Sequence, residues 1–389
     1  MTGRAIVLLS LAALASAAGL RVTDPLLALI ASEYRVSPGA AAAVITGFSI
    51  AYGLLQVVHG PIGDRIGKYR VVTAATALSA FGTFACAAAP SLGWLVAARF
   101  VSGATVGALI PISMAWIGDT VPYERRQPVL ARFLIGNMSG IALGTTAGGV
   151  LGEAFGWRTV FVALGLLYLA IAALLALELR RNPITRPASG SAASLPDAFR
   201  RMAGLLALPW VRVMLVTVFA EALLFYGALA FVALHLHVRL GVSLGASGAL
   251  VASFAAGGML YAALAGRVVP RLGETGLVTA GGVLLGVAWL GMIVAPSAAY
   301  AIPFLMASGT GLYMFHNTLQ VHATQMAPEA RGAAVSLFAL SLFTGQSAGV
   351  WISARIVDQF GTRPVFAVAA LGLPLLAFEF RRRLAAFAA

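Results

Sequence analysis

The chain has 389 residues, 60% of them hydrophobic and only 10% charged, with a mean hydropathy of +0.93. A soluble domain carries about 25% charged residues, so the composition excludes a soluble globular protein and indicates repeated membrane crossings. The net charge of +13 raises the question of nucleic acid, but the basic residues are scattered between apolar stretches, so no nucleic-acid partner is expected. A lone Cys86 excludes an internal disulfide framework and a cysteine-rich metal site.

The first apolar stretch follows Arg4 and passes Ala15-Ser16-Ala17-Ala18, a sequence similar to a signal-peptide cleavage site. It runs on to Ala31, well beyond the roughly 7–15 residues of a signal core, so an uncleaved first span is expected. Apolar stretches long enough to cross a bilayer fall near 5–31, 40–59, 71–89, 92–117, 130–152, 159–179, 212–235, 244–265, 276–295, 300–325, 333–355 and 364–380. These twelve predict an all-α integral membrane protein. The expected organisation is a six-helix bundle over 1–179, a cytoplasmic linker over 180–211 rich in Arg, Pro and Ser, and a second six-helix bundle over 212–389.

Of the 26 basic residues, Arg21 and Arg99 fall inside apolar stretches. Arg35, Arg158, Arg239, Arg355 and Arg363 fall on one side, and the remaining nineteen on the side of the termini. Basic loops stay in the cytoplasm, so both termini are expected there, in a bacterial inner membrane.

The chain also repeats itself. Phe155-Gly156-Trp157-Arg158-Thr159-Val160-Phe161 returns as Phe360-Gly361-Thr362-Arg363-Pro364-Val365-Phe366, shifted by 205 positions. Gly60 to Gly67 aligns with Gly266 to Gly273 at 206, Glu124-Arg125-Arg126 with Glu329-Ala330-Arg331, and Gly136, Gly140 and Gly144 with Ser341, Gly345 and Gly349. Four ordered matches at one offset indicate a duplicated unit of membrane helices, an arrangement that places a binding site between repeats.

On these residues the chain resembles the major facilitator superfamily. Gly60-Pro61-Ile62-Gly63-Asp64-Arg65-Ile66-Gly67-Lys68-Tyr69-Arg70 is similar to its signature loop between helices 2 and 3, and Arg99-Phe100-Val101-Ser102-Gly103 to its helix-4 motif. Gly140 to Gly149 resembles the helix-5 antiporter motif, with Thr145 where that motif has proline. The first helix, with Arg21, Asp24 and Pro25, resembles the proton-coupled drug and metabolite exporters. The resemblance implies alternating access, with helices 1, 4, 7 and 10 around a central cavity.

Asp64 is expected to gate the cytoplasmic face, facing the N-terminus of helix 11 near Ala333 or pairing with Arg125 or Arg126, with Gly60 and Gly67 easing the turn beside Arg65. Lys68 and Arg70 read as solvated charges. Gly136, Gly140, Gly144 and Gly148, with Gly149, form a small-residue face expected to pack on helix 8, near Gly257 and Gly258. Asp24 and Arg99 lie at similar depth and are expected to meet as a proton-coupling pair, the alternative being a fixed structural ion pair, Asp24–Arg99 or Arg21–Asp24. Glu221 is an isolated intramembrane acid, read as a cation or proton site or as a hydrogen-bonded structural group. Tyr313, His316, Asn317 and Gln320 form a polar stripe on helix 10, expected to face the cavity. His59, His235 and His237 read as interfacial. Phe219, Phe225, Tyr226, Trp116, Tyr313 and Phe315 are expected to line an aromatic cavity.

No nucleotide-binding loop or metal-ligand spacing occurs, so no cofactor, no metal and no enzymatic activity are expected. The expected activity is proton-coupled export of a small amphiphilic or drug-like solute by a monomer, its partners being that solute, protons and the bilayer. Proton-driven or facilitated uptake of a metabolite is the alternative, and a non-transporting receptor or scaffold a more distant one.

Overall fold

A computed structural model describes residues 2–185, 195–327 and 330–388. The stretch 186–194 of the expected linker, and Glu329 of the third repeat match, fall outside the described residues. Within them every regular element is a helix, the open-ended structure that satisfies its own backbone in hydrocarbon. The spans are α1 (Gly3–Tyr34), α2 (Pro38–Ile66), α3 (Lys68–Ala87), α4 (Leu92–Thr120), α5 (Tyr123–Phe155), α6 (Trp157–Arg181) and α7 (Pro209–Leu240). After the α8–α9 pair come α10 (Ala298–Gln325), α11 (Arg331–Phe360) and α12 (Arg363–Phe387).

The α8–α9 pair is one 51-residue stretch, Leu244–Val294. Kept straight it would measure about 77 Å, more than twice the roughly 30 Å of a hydrocarbon core. It leaves helical geometry at Gly273, with φ 60° and ψ −179°, which divides it into α8 (244–272) and α9 (274–294). Among the described residues this gives twelve crossings, and an even number returns the two ends to one face, called here the terminal face.

The repeat is visible in the backbone. Gly67 has φ 100° and its mate Gly273 φ 60°, while Gly156 and Gly361 have φ 83° and 79°. Positive φ costs little only without a Cβ, so these four glycines set the turns α2–α3, α8–α9, α5–α6 and α11–α12. Gly60, expected to help the first turn, lies inside helical α2 with open space around it; the turn depends on Gly67 alone.

Of the glycine face of α5, Gly136, Gly140, Gly144 and Gly148 pack on α1, in their own half. Gly149 meets the expected α8, at Leu244 and Gly245 rather than at Gly257 and Gly258. A Cβ added to Gly136, Gly140, Gly144 or Gly148 would come within 3.0 Å of Ser10, Leu14, Ala18 or Val22. The second half repeats this seam at the same offset. Ser341 donates its hydroxyl to the Leu215 carbonyl at 2.7 Å, while Gly345, Gly349 and Ser353 meet Phe219, Leu223 and Gly227. Small-residue spacing announces a close approach without naming the partner. Gly257 and Gly258 serve a third seam, against Met306 and Tyr313 of α10.

The described part of the expected linker carries one more helix, Leu195–Leu205, which buries Met202 and Leu205.

Gly140→Ala drives a methyl into the Leu14 carbonyl, so its unfolding midpoint in detergent falls by the equivalent of about 1–3 kcal/mol or more. Gly60→Ala, in open space within a helix, leaves the midpoint unchanged or raises it by up to about 1 kcal/mol. Equal loss in both variants would contradict the seam.

Candidate functional site

Three spans lose helical continuity inside the membrane. In α1 the helix stops at Arg21 and a 3₁₀ turn covers Asp24–Leu26, because Pro25 has no N–H to donate and its ring crowds the preceding turn. In α4 the break is at Gly107–Ala108 and in α7 at Ala230–Phe231. Each tightens to a bond between residues three apart: Leu26 to Thr23 at 3.0 Å, Ala108 to Thr105 at 3.2 Å and Phe231 to Ala228 at 3.1 Å. Such turns inside helices commonly mark hinges.

The break in α1 sets the charge pairing. Arg99 of α4 is fully enclosed; it donates to the Val44 carbonyl at 3.4 Å, the Gly19 carbonyl at 3.1 Å and the Thr23 hydroxyl at 3.3 Å, and its guanidinium lies 3.9 Å from the Phe48 ring centroid. The planar fork of arginine suits this many-sided grip. It ties α1, α2 and α4 together and makes no ion pair with Asp24, which corrects the expected coupling pair. Equal depth along two helices did not account for the turn at 22–24, which leaves Asp24 Oδ2 3.4 Å from Arg21 Nη1. Both residues of that pair are at most 2% exposed. Arg21 also lies 4.5 Å over the ring of Tyr226 from α7, so the pair sits where the halves meet. Asp24 Oδ1 is buried without a hydrogen-bond partner.

The second buried acid completes the cluster. Glu221 Oε2 of α7 lies 2.7 Å from His316 Nδ1 of α10, and Glu221 Oε1 is buried without a partner. The polar stripe on α10 does not share one target. His316 turns to α7, Tyr313 lies over Gly258 and stacks on Phe254 of α8, Asn317 sits beside Tyr261, and Gln320 is exposed.

Three of the six expected cavity aromatics are core residues instead. Trp116 packs edge-on against Tyr69 at 5.4 Å, Phe225 against Trp289 at 5.7 Å, and Phe315 beside Phe380 at 6.0 Å. Two expected interfacial histidines are likewise buried: His235 meets the Thr362 hydroxyl at 2.6 Å, and His59 packs inside the first half.

Across the halves, the face opposite the termini is held by two related clamps that the residue-by-residue reading missed. Glu153 of α5 accepts from the Gly245 backbone N–H at 2.7 Å, at the start of α8. Asp358 of α11 accepts from the Gly39 N–H at 2.8 Å and the Ser37 hydroxyl at 2.6 Å, at the start of α2. In both cases a carboxylate meets the positive end of a helix from the other half. The two acids stand 205 positions apart, two residues before the matched Phe-Gly pair, so extending the repeat upstream would have found them. Below the clamps, Thr145 and Gly149 of α5 touch Gly248 and Gly245 of α8. On the other side of the interface, Gln346 of α11 donates to Ser49 of α2 at 2.7 Å.

At the terminal face a cavity of about 280 Å³ separates Pro61 and Asp64 of α2 from Ala333 and Ser336 of α11, with Arg201 on its rim. Asp64 pairs with Lys68 at 2.8 Å, and Lys68 reaches Asp119 of α4 at 2.6 Å. Lys68, expected to be merely solvated, is thus the centre of the local charge network. Arg126, one of the expected partners of Asp64, donates to the Gly118 and Val121 carbonyls at the end of α4. Arg65 and Arg125 are exposed.

Comparison with known proteins bears on this arrangement. Residues 9–350 match the sequence profile of the Major Facilitator Superfamily. An uncharacterised transporter of that type from Bacillus subtilis, YceJ, is 25% identical, with 85% of this chain and 83% of that protein covered. A homologue in Lactococcus lactis of the multi-drug resistance efflux pump PmrA is 26% identical over 68% of this chain and 65% of its own. Among solved structures, a bacterial homologue of the human lysosomal transporter Spinster, in an inward-facing and unoccupied conformation, superposes with a TM-score of 0.76 at 18% identity, covering 97% of this chain and 95% of that one. At that identity the likeness concerns the fold.

Two outcomes are expected. In a double-mutant cycle on unfolding in detergent, Arg21→Met with Asp24→Asn shows a coupling above about 0.5 kcal/mol, and Arg99→Met with Asp24→Asn a smaller one. Each clamp bond to a charged acceptor contributes about 1.5–3 kcal/mol, so Glu153→Gln with Asp358→Asn raises the fraction open at the clamp face by about tenfold or more. Spin labels on Arg35→Cys and Arg239→Cys, exposed at that face, report it as a second, longer distance.

Proposed function

The chain belongs to the Major Facilitator Superfamily, and from that premise we propose that it is a proton-coupled exporter of a small amphiphilic or drug-like solute, working by alternating access. The observation that carries the coupling is that Asp24 and Glu221, both buried where α1, α7 and α10 converge, each keep one oxygen without a donor. A buried ionised oxygen without a donor is costly. A proton removes that cost, and so does the cationic group of a solute; each therefore competes with the other for the same carboxylate. Competition at one site is the physical basis of exchange.

The geometry supplies the other parts of such a cycle. The clamps at Glu153 and Asp358 close one face while the cavity beside Asp64 lies at the other. On the distribution of basic residues the terminal face is cytoplasmic, in a bacterial inner membrane, so solute enters from the cytoplasm and protons enter when the clamps release. Tyr226, whose ring lies against Arg21 of the buried pair, favours a solute with an apolar or aromatic body. The likeness to a multi-drug efflux pump homologue supports the outward direction.

Uptake with protons is the second reading, and Thr145 favours it. Its hydroxyl bonds back to Ile141 and Ala142 at 3.2 Å inside an unbroken α5, where the exporter motif has a proline.

Purified protein in vesicles with a lumenal pH dye separates the two. Addition of a transported amphiphilic cation drives protons in the opposite direction under exchange, and in the same direction under uptake, which would overturn export. Asp24→Asn abolishes the proton signal and reduces the rise in unfolding temperature that the solute gives the wild type, because the carboxylate both compete for is gone. Proton flux that survives in both Asp24→Asn and Glu221→Gln would remove these acids from the coupling.

A further inference from the structure

A second feature lies away from the buried charges, on the outer surface of the second half. A groove of about 630 Å³ runs beside α9, lined by Thr275, Thr279, Val283 and Val287, with Met314 of α10 at its floor and Arg381 of α12 at its terminal-face end. Val283 and Val287 are 45% and 53% exposed, so this wall belongs to the surface that a spanning protein turns to lipid. From Thr275 to Val287 the groove follows about 18 Å of helix, against about 15 Å for the hydrocarbon of one leaflet. Its depth is therefore that of one acyl chain plus the start of the headgroup layer.

Charge then selects the headgroup. Arg381, Arg382 and Arg383 are consecutive, but Arg382 and Arg383 are held by Glu379 at 3.7 and 2.7 Å. Among the described residues no carboxylate pairs with Arg381, and it is the one of the three that lines the groove. A cation at the mouth of an apolar slot one leaflet deep complements a phosphate carried on an acyl chain. We propose that this groove is a binding site for a single anionic phospholipid, with the phosphate on Arg381 and a chain along α9.

The test uses the detergent-purified full chain, offered phosphatidylglycerol or phosphatidylcholine and weighed by native mass spectrometry. The wild type retains one phosphatidylglycerol in preference to phosphatidylcholine. Arg381→Gln lowers that retention about fivefold, equivalent to about 1 kcal/mol, and leaves phosphatidylcholine unaffected. Arg382→Gln and Arg383→Gln change it by less than about twofold, since Glu379 already engages those side chains. Val287→Trp fills the chain groove and lowers retention with Arg381 intact. All these positions are exposed, so the variants fold. Equal loss in the three arginine variants would mean diffuse attraction and overturn the site. No loss in Arg381→Gln would do the same, as would displacement of the lipid by glycerol phosphate, which has no chains.

Discussion

Backbone packed directly on backbone, α5 on α1 and α11 on α7, is the contact on which the rest of the molecule depends. In lipid there is no hydrophobic gain in bringing two apolar helices together, so association relies on close packing and on hydrogen bonds. Gly136, Gly140, Gly144 and Gly148 remove the side chains that would hold α5 away from α1, and Ser341, Gly345, Gly349 and Ser353 do the same for α11 and α7. Packed interiors resist continuous deformation. The seams brace α1 up to its break at Asp24 and α7 over the stretch that carries Glu221, short of its break at Ala230–Phe231. The interface between halves is close-packed too, with Gly149 and Gly248 bringing α5 and α8 together, and it adds the hydrogen bonds of Glu153, Asp358 and Gln346.

The buried polar groups divide along the same line. Arg99 bonds to two carbonyls and a hydroxyl within the first half and stacks on Phe48; a guanidinium so fully engaged acts as a brace. Arg21–Asp24 and Glu221–His316 are different, because each acid retains an unused oxygen and the pairs adjoin helices of differing halves or broken spans. An incompletely satisfied buried network is expensive to keep, and such expense is commonly tolerated where a group has to change its partner or its proton. Under the proposed function, a buried charge that spends all its bonds within one half is a brace, and one that keeps a free oxygen at the junction of the halves is the group that exchanges partners.

This also explains how far the sequence could be read. The twelve crossings were legible, because crossing a bilayer demands about twenty apolar residues each time. The duplication was legible too: Gly67 with Gly273 and Gly156 with Gly361 are matched in sequence and share positive φ. Partners across space were not. Spacing of four announced a seam on α5 but not that α1 fills it, and the period of α10 grouped Tyr313, His316, Asn317 and Gln320 without showing that they diverge to α7, α8 and solvent. The pairing of Asp24 with Arg21 turned on a local break at Pro25 whose consequence for side-chain direction no periodicity reports. Glu153 and Asp358 were missed for another reason: their partners are backbone N–H groups, which carry no signature in the sequence.

The carboxylates at the two faces are engaged differently, and the proposed cycle needs the energy difference between its two states to be small. At the clamp face two carboxylates each bind the start of a helix from the opposite half, so the lock is doubled by the repeat. At the terminal face the acid of the α2–α3 turn is not duplicated, since Pro270 occupies the place that Asp64 holds after the 206-residue shift. Asp64 is moreover already paired with Lys68, itself shared with Asp119. Closure on the α11 helix start would exchange an exposed ion pair, contributing about 0–1 kcal/mol, for a helix-end contact of about 0.3–1 kcal/mol. That exchange is nearly neutral, so it does not fasten the terminal face by itself. The balance between the two states then rests on the clamps and on whatever occupies the free oxygens of Asp24 and Glu221. A gap of a few kcal/mol governed by those groups is one that a proton or a bound solute is able to reverse.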